Sequence, residues 1–302
     1  MPQFSVEKRT ILESVRRLNT WHRGEERAPH KPLLLLLALA RVANHSGRLT
    51  SFEEIEPRLR ALLEEFGPPR ISVHPEYPFW RLQSDGLWEV VESHSLTRRK
   101  SNSDPLKSEL LKYHICGGFP APIYEALKRD TALRAQLATE ILNAHFPSSI
   151  HEDILQAVGL AIDVVTVPGP RSPLFRESVL RAYDHACAVC GYSVRLGNSD
   201  MGLEAAHIKW HQAGGSDEVS NGLACCTVHH RALDRGAIGV STDLRILVSS
   251  DLHGAGKLQE WFLSLAGKFL REPNIAGLAP AVSAVDWHRR EVFRDPARDC
   301  GA

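Results

Sequence analysis

Apolar positions recur at helical spacing from Ile11 to Leu18 and again, almost without interruption, through Pro32–Leu39 and Ala40. The second stretch predicts a helix over Lys31–Ala43, with Pro32 in the first turn, where its missing N–H costs no hydrogen bond. Leucines on every side of that helix predict that it is buried all round. Thr50 with Glu53 reads as a capping box, and Leu59–Phe66 as an amphipathic helix that stops at Gly67-Pro68-Pro69. Three short runs rich in β-branched and aromatic residues follow, Ile71–Val73, Phe79–Gln83 and Leu87–Val91. Ser84-Asp85-Gly86 supplies a turn between the last two, which predicts a small antiparallel hairpin. Helical patterning resumes from Pro105 to about Phe146 and again over Ile150–Leu160.

Val164–Pro173 then packs three prolines and a glycine into a stretch that cannot continue a helix. The domain boundary is placed there: residues 1–163 as one domain, 164–174 as a linker and 175–302 as a second domain. The second domain opens with a predicted helix over Phe175–His185 and closes with helical segments over Lys257–Leu270 and Trp287–Phe293. Two domains suit a chain of 302 residues, and 43% hydrophobic with 24% charged residues excludes a disordered, collagenous or coiled-coil protein. Thirty-six basic residues balance 36 acidic ones, so attraction to a polyanion must come from local charge. The longest apolar run, Pro32–Leu39, is far below the roughly 18–20 residues of a membrane span. Met1–Thr10 has no apolar signal core. No membrane partner is expected, and the expected location is cytoplasmic. A reducing compartment makes metal ligation the first reading of the six cysteines, four of which fall between Cys187 and Cys226.

Three pieces of sequence carry the chemistry. Cys187-Ala188-Val189-Cys190-Gly191 has the form of a zinc knuckle; Leu203-Glu204-Ala205-Ala206-His207 is a short apolar strand ending in histidine; and Asn221-Gly222-Leu223-Ala224-Cys225-Cys226-Thr227-Val228-His229-His230 leads into a helix. Together they resemble the HNH endonuclease family, whose ββα-metal fold sets a histidine on the first strand, an asparagine in or after the loop and a histidine on the helix. Cys226 and His229 form a CxxH that can complete a closed tetrahedral zinc site with Cys187 and Cys190, which makes that ion structural. Cys225 competes for the same place; neighbouring strand residues point to opposite faces, and the spacing and the resemblance favour Cys226. Reactive or merely buried cysteines are the plainer alternative.

His229 and His230 diverge by about 100° on a helix, so with His229 on zinc, His230 is free for a catalytic divalent ion such as Mg2+ or Mn2+. His207 then takes the proton of the attacking water, and by analogy with the family Asn221 keeps the loop and His207 oriented. Many HNH enzymes carry an acidic residue immediately before the base, where this chain has Ala206. The second ligand stays open between Glu204, which strand alternation puts on the face opposite His207, and Asp234, one helical turn after His230. A nuclease that keeps the fold and has lost activity is the other reading of the same residues.

Local basicity does appear in the first half: from Lys8 to Lys31, seven basic residues face three acidic ones, and Arg98-Arg99-Lys100 follows. Ala28-Pro29-His30-Lys31-Pro32, Glu76-Tyr77-Pro78-Phe79-Trp80-Arg81 and Gly86-Leu87-Trp88 resemble the sulfur-binding domain of Mcr-type restriction endonucleases that act on phosphorothioate-modified DNA. The resemblance implies a shallow apolar cup of Tyr77 and Pro78 for a soft, poorly hydrated sulfur, with His30, Lys31 and Arg81 on the neighbouring phosphate oxygens. The expected fold class is therefore α+β: a mainly helical N-terminal domain with a small antiparallel hairpin, joined to a zinc-stabilised ββα-metal HNH domain. The expected function is that of a type IV-like restriction endonuclease on double-stranded, phosphorothioate-modified DNA, as a homodimer or by successive nicks. The alternatives are an HNH endonuclease reading methylated DNA and a zinc-dependent DNA-binding protein without catalysis.

Overall fold

Leu33 to Leu39, the run of leucines interrupted once by alanine, forms the buried axis of the first part of the molecule. The computed structural model describes residues 2–20, 25–93, 96, 104–162 and 173–298. The chain divides into two compact units, Met1–His145 with His151–Val167, and Phe146–Ile150 with Pro168–Ala302. Arg98-Arg99-Lys100 and most of the expected linker lie outside the described residues.

In the first unit, α1 (Pro2–Arg16) and α2 (His30–Ala43) precede β1 (Leu49–Ser51), α3 (Phe52–Phe66), α4 (Glu76–Arg81) and β2 (Glu89–Val91). Then come α5 (Lys107–Lys112), β3 (Cys116–Gly118), α6 (Ala121–Arg129), α7 (Thr131–His145) and α8 (His151–Val158). Helix α2 packs against α3, α4, α6, α7 and α8, which explains why its stretch Pro32–Ala40 has no polar residue on any face. Each leucine so buried contributes about 1.5–3 kcal/mol. Ser51, rather than Thr50, caps α3: its hydroxyl accepts from the Glu54 amide at 3.2 Å, while Thr50 is buried in β1.

The expected hairpin takes another form. Phe79–Gln83 is helical, in α4 and the 3-10 turn that follows it, because Pro75 and Pro78 at the helix start suit a first turn and would break a strand ladder. Phe79 and Leu82, three residues apart, are both fully buried, and Phe79 meets Phe52 and Trp88 edge to face at 5.0 and 5.7 Å. Strand β2 pairs instead with β3, which also pairs with β1, in a three-stranded antiparallel sheet ordered β1-β3-β2. Gly117 in β3 is the residue on which Trp88 rests; a Cβ there would lie 2.6 Å from the indole nitrogen.

The second unit contains α9 (Pro173–Ala182), β4 (Arg195–Leu196), β5 (Ser199–Asp200), β6 (Leu203–His207), β7 (Gly222–Cys226) and α10 (Thr227–Asp234). It continues through β8 (Ile238–Val240), β9 (Ile246–Val248), α11 (Leu258–Trp261) and α12 (Val282–Glu291). Strands β6 and β7 pair antiparallel in continuous register from Leu203 opposite Cys226 to His207 opposite Gly222, and α10 follows at once, giving the β-β-α order. The helix expected over Lys257–Leu270 is cut short after Trp261 because the chain turns back to bond with β9, through Ile246 N to Lys268 O and Gly267 N to Ile246 O. No helix among the described residues is long and apolar enough to cross a membrane.

Candidate functional site

Cys187, Cys190, Cys226 and His229 bring one ligand atom each into a cluster whose members all lie within 4.8 Å of one another. The Cys226 Sγ is 3.1 Å and the Cys187 Sγ 3.8 Å from Nδ1 of His229. The His229 Nε2–H donates to the Trp261 carbonyl at 2.9 Å, which leaves Nδ1 as the lone pair facing the sulfurs. Hydrogen bonds from Cys190, Cys225 and Cys226 hold the Cys187 thiol far below its usual range, as a thiolate. Cys225 stands outside the cluster: its hydrogen bond to Cys187 and its complete burial keep it protonated. Three sulfurs and one oriented imidazole nitrogen fit a tetrahedral Zn2+.

His207 ends β6 with its ring stacked on Phe175 of α9, centroids 4.1 Å apart and 15° from parallel. Opposite it stands Gly222, where a Cβ would approach Val179 to 2.5 Å, so only glycine lets α9 lie this close beside the histidine. The His207 Nε2–H donates to Asp217 Oδ1 at 2.9 Å. Burial holds the imidazole below the usual histidine range, and Asp217 pushes it the other way. The ring is therefore neutral at pH 7, with Nδ1 carrying the lone pair. His211, with Nδ1 3.8 Å from the same Asp217 oxygen, completes a trio of ligand-type atoms within 4.8 Å.

Asn221 is buried, and it ties this loop together. Its Oδ1 accepts from the Lys209 amide, and its Nδ2 donates to the carbonyls of Lys209 and Ser216 at 3.0 and 2.9 Å. Ser216 precedes Asp217, so the asparagine anchors the backbone that aims Asp217 at His207. Asp217 and His211 escape a sequence reading because they lie ten and four residues beyond His207, in a loop with no periodicity.

His230, on α10, has Nδ1 2.5 Å from Glu204 Oε2 and Nε2 3.2 Å from Asp234 Oδ2. Burial disfavours its charge, but the Asp234 and Glu204 carboxylates prevail and hold its pKa up to about 9. Two carboxylates that keep a buried imidazole protonated mark a place that stabilises positive charge. Because they lie against opposite ring nitrogens, Asp234 on Nε2 orients the ring, and Nδ1, once a cation replaces its proton, makes with Glu204 a nitrogen-and-oxygen pair that suits a divalent ion. Glu204 reaches this place without a bulge in β6. Measured from His207 it is on the wrong face; measured from Ala206, where many HNH enzymes have an acid, it is two residues away and on the same face. The structure brings His207 together with Asp217 and His211, and His230 together with Glu204 and Asp234.

In the first unit, His30, Lys31, Tyr77, Pro78 and Arg81 all line one cavity of about 670 Å³. Tyr77 lies between the His74 ring, stacked at 4.7 Å, and the Arg81 guanidinium, 4.6 Å from its centroid. Asp104 anchors Arg81 from behind, accepting from Nε at 2.9 Å. Lys31 turns its ammonium to Asp85, at 2.6 Å, and to the Asn19 carbonyl, at 2.8 Å. Burial, with Arg70, His74, Arg81 and Arg27 nearby, pushes the His30 pKa down to about 4, so His30 is a neutral donor in this cavity and not a cation. Arg27, Arg70, His74 and the fully exposed Ile71 also line it; the last three lie in the loop after the Gly67-Pro68-Pro69 stop, which carries no periodic signal.

Residues 8–163 match the family described as ScoMcrA-like, DNA sulfur-binding domain, and residues 187–241 match the HNH endonuclease family. Among solved structures, the chain is similar to the sulfur-binding domain of ScoMcrA complexed with phosphorothioated DNA, with 24% identity, 49% of this chain and 94% of that chain covered, and a TM-score of 0.44. It is similar to the type IV phosphorothioation-dependent restriction endonuclease ScoMcrA at 23% identity, covering 49% of this chain and 32% of that one, with a TM-score of 0.42. The sulfur-binding domain of SprMcrA complexed with phosphorothioated DNA matches at 22% identity over 51% of this chain and 94% of that chain, with a TM-score of 0.41. No curated protein matches the chain.

Proposed function

The chain belongs to the ScoMcrA-like DNA sulfur-binding domain family, and because an HNH endonuclease domain follows in the same chain, we propose that it is a type IV-like restriction endonuclease that reads phosphorothioate-modified duplex DNA and hydrolyses a phosphodiester bond nearby. The observation that carries this reading is the shared cavity of His30, Tyr77, Pro78 and Arg81, contributed by segments more than 40 residues apart. Sulfur in place of a non-bridging phosphate oxygen is larger, softer and less hydrated. The Tyr77 ring and the Pro78 ring offer it an apolar contact, while the Arg81 guanidinium and the neutral His30 N–H suit the remaining oxygens.

The second unit supports a hydrolytic mechanism. Asp217 holds Nε2–H of His207, so Nδ1 accepts the proton of the attacking water. Asn221 holds the Lys209–Ser216 loop and thereby keeps Asp217 in line. His230 and Glu204 would hold Mg2+ or Mn2+, with Asp234 orienting the His230 ring from its other nitrogen, and the ion would supply positive charge against the scissile phosphate and the departing 3′ oxygen. Cys187, Cys190, Cys226 and His229 would hold Zn2+ and tie the end of β7 and the start of α10 to the knuckle. Each centre cuts one strand, so a double-strand break takes two protomers or two nicks.

Matched duplexes carrying phosphorothioate, methylcytosine or no modification test the reading, together with plasmid cleavage by the wild type and by His207→Ala. Binding selective for the sulfur and a cleavage loss of about 10²–10⁴-fold in His207→Ala are expected. Equal affinity for all three duplexes sinks the sulfur reading, and full cleavage by His207→Ala sinks the mechanism.

A further inference from the structure

The segment Phe146–Ile150 lies inside the sequence span that matches the sulfur-binding family, between helices α7 and α8 of the first unit, yet it belongs to the second unit. Ser148–Ile150 forms a single 3-10 turn packed against α10. Ile150 is buried and Phe146 fully so, which fixes the turn from both ends. Between them, the Ser149 hydroxyl donates to Asp234 Oδ2. That same oxygen faces Nε2 of His230 at 3.2 Å. Asp234 is only 4% exposed, so a hydroxyl 85 residues upstream is one of the groups that decide how this carboxylate is oriented.

We propose that Ser149 is a positioning residue for the cation site of His230 and Glu204, acting through Asp234, which holds the His230 ring, so that the nuclease centre is completed by a residue from inside the recognition-domain sequence. The inference rests on the reading that this cluster holds the divalent ion of the nuclease. A buried carboxylate can turn about its Cβ–Cγ bond and exchange its oxygens. A fixed O–H donor on Oδ2 selects one orientation and keeps that same oxygen against Nε2 of His230. Groups that orient a metal ligand in this way typically govern affinity about 10- to 100-fold when removed. No periodic or motif signal marks Ser149, because its partner is brought to it only by the packing of α10.

The test is calorimetric titration of the zinc-loaded 302-residue chain with Mn2+, comparing the wild type, Ser149→Ala, Ser149→Thr and His230→Ala, with zinc content and circular dichroism measured on each. Ser149→Ala should weaken the Mn2+ site about 10- to 100-fold, His230→Ala should abolish it, and Ser149→Thr, which keeps the hydroxyl, should restore it. A site lost in His230→Ala but unchanged in Ser149→Ala overturns the inference alone. Equal weakening in Ser149→Ala and Ser149→Thr also overturns it, since packing and not the hydroxyl would then be at work. A wild type with no Mn2+ site sensitive to His230→Ala overturns both the cation reading and the inference built on it.

Discussion

Asp217 Oδ1 lies 2.9 Å from Nε2 of His207, and the carbonyl of the residue before it, Ser216, accepts from the Asn221 amide at 2.9 Å. The asparagine of the motif thus reaches the histidine through a carboxylate that the motif does not contain. Asp217→Asn should lower the cleavage rate about tenfold, the worth of one such hydrogen bond. Burial lowers and Asp217 raises the His207 pKa, so the substitution should also move the acid limb of the rate profile to lower pH. A fall in rate with the limb unmoved would count against the orienting role.

Lys31 and Asp85 form an ion pair with side chains only 12% and 4% exposed. Lys31→Met leaves the Asp85 charge buried with its main partner gone, and should destabilise the first unit by about 3–5 kcal/mol. Lys31→Met combined with Asp85→Leu should recover most of that loss. Thermal unfolding of the three variants measures this, and a Lys31→Met protein as stable as the wild type would contradict it.

His30 titrates at about 4 in the folded protein, against a usual value near 6.5. The unfolded chain therefore binds the proton more readily. Stability is fully present above about pH 6.5, declines as the pH falls toward 4, and levels off below that. His30→Asn should flatten this decline by a few kcal/mol at most, as seen in unfolding midpoints between pH 4 and 7. An unchanged acid decline in His30→Asn would refute the assignment.

Cys225 and Cys226 are adjacent, but only Cys226 has its sulfur in the four-donor cluster. Cys226→Ala should lose its zinc and unfold the second unit, whereas Cys225→Ala should keep zinc and lose only about 1–2 kcal/mol for the missing buried sulfur. Metal content by atomic spectroscopy separates the two, and zinc loss in Cys225→Ala would reverse the ligand choice.

Much of this protein is legible in its sequence where the deciding forces are local. The run of Leu33–Leu39 announces a helix with no solvent face, and the CxxC, CxxH and strand-histidine spacings place four sulfur and nitrogen donors and His207 on adjacent elements whose geometry is short-range. Phe79–Gln83 misleads for a physical reason: its five residues satisfy a strand pattern and an i, i+3 helix pattern equally, and the choice falls to what flanks and packs on them, Pro75 and Pro78 at the helix start and the Phe52 and Trp88 rings against Phe79. Only tertiary structure could bring Glu204 to His230, Asp217 to His207 and Ser149 to Asp234, since each pair joins residues from separate elements or loops through one hydrogen bond. It also decided that Lys31 faces Asp85 and that His30 is neutral, because burial and neighbouring charge, which set both, are properties of the packed molecule and not of any stretch of its chain.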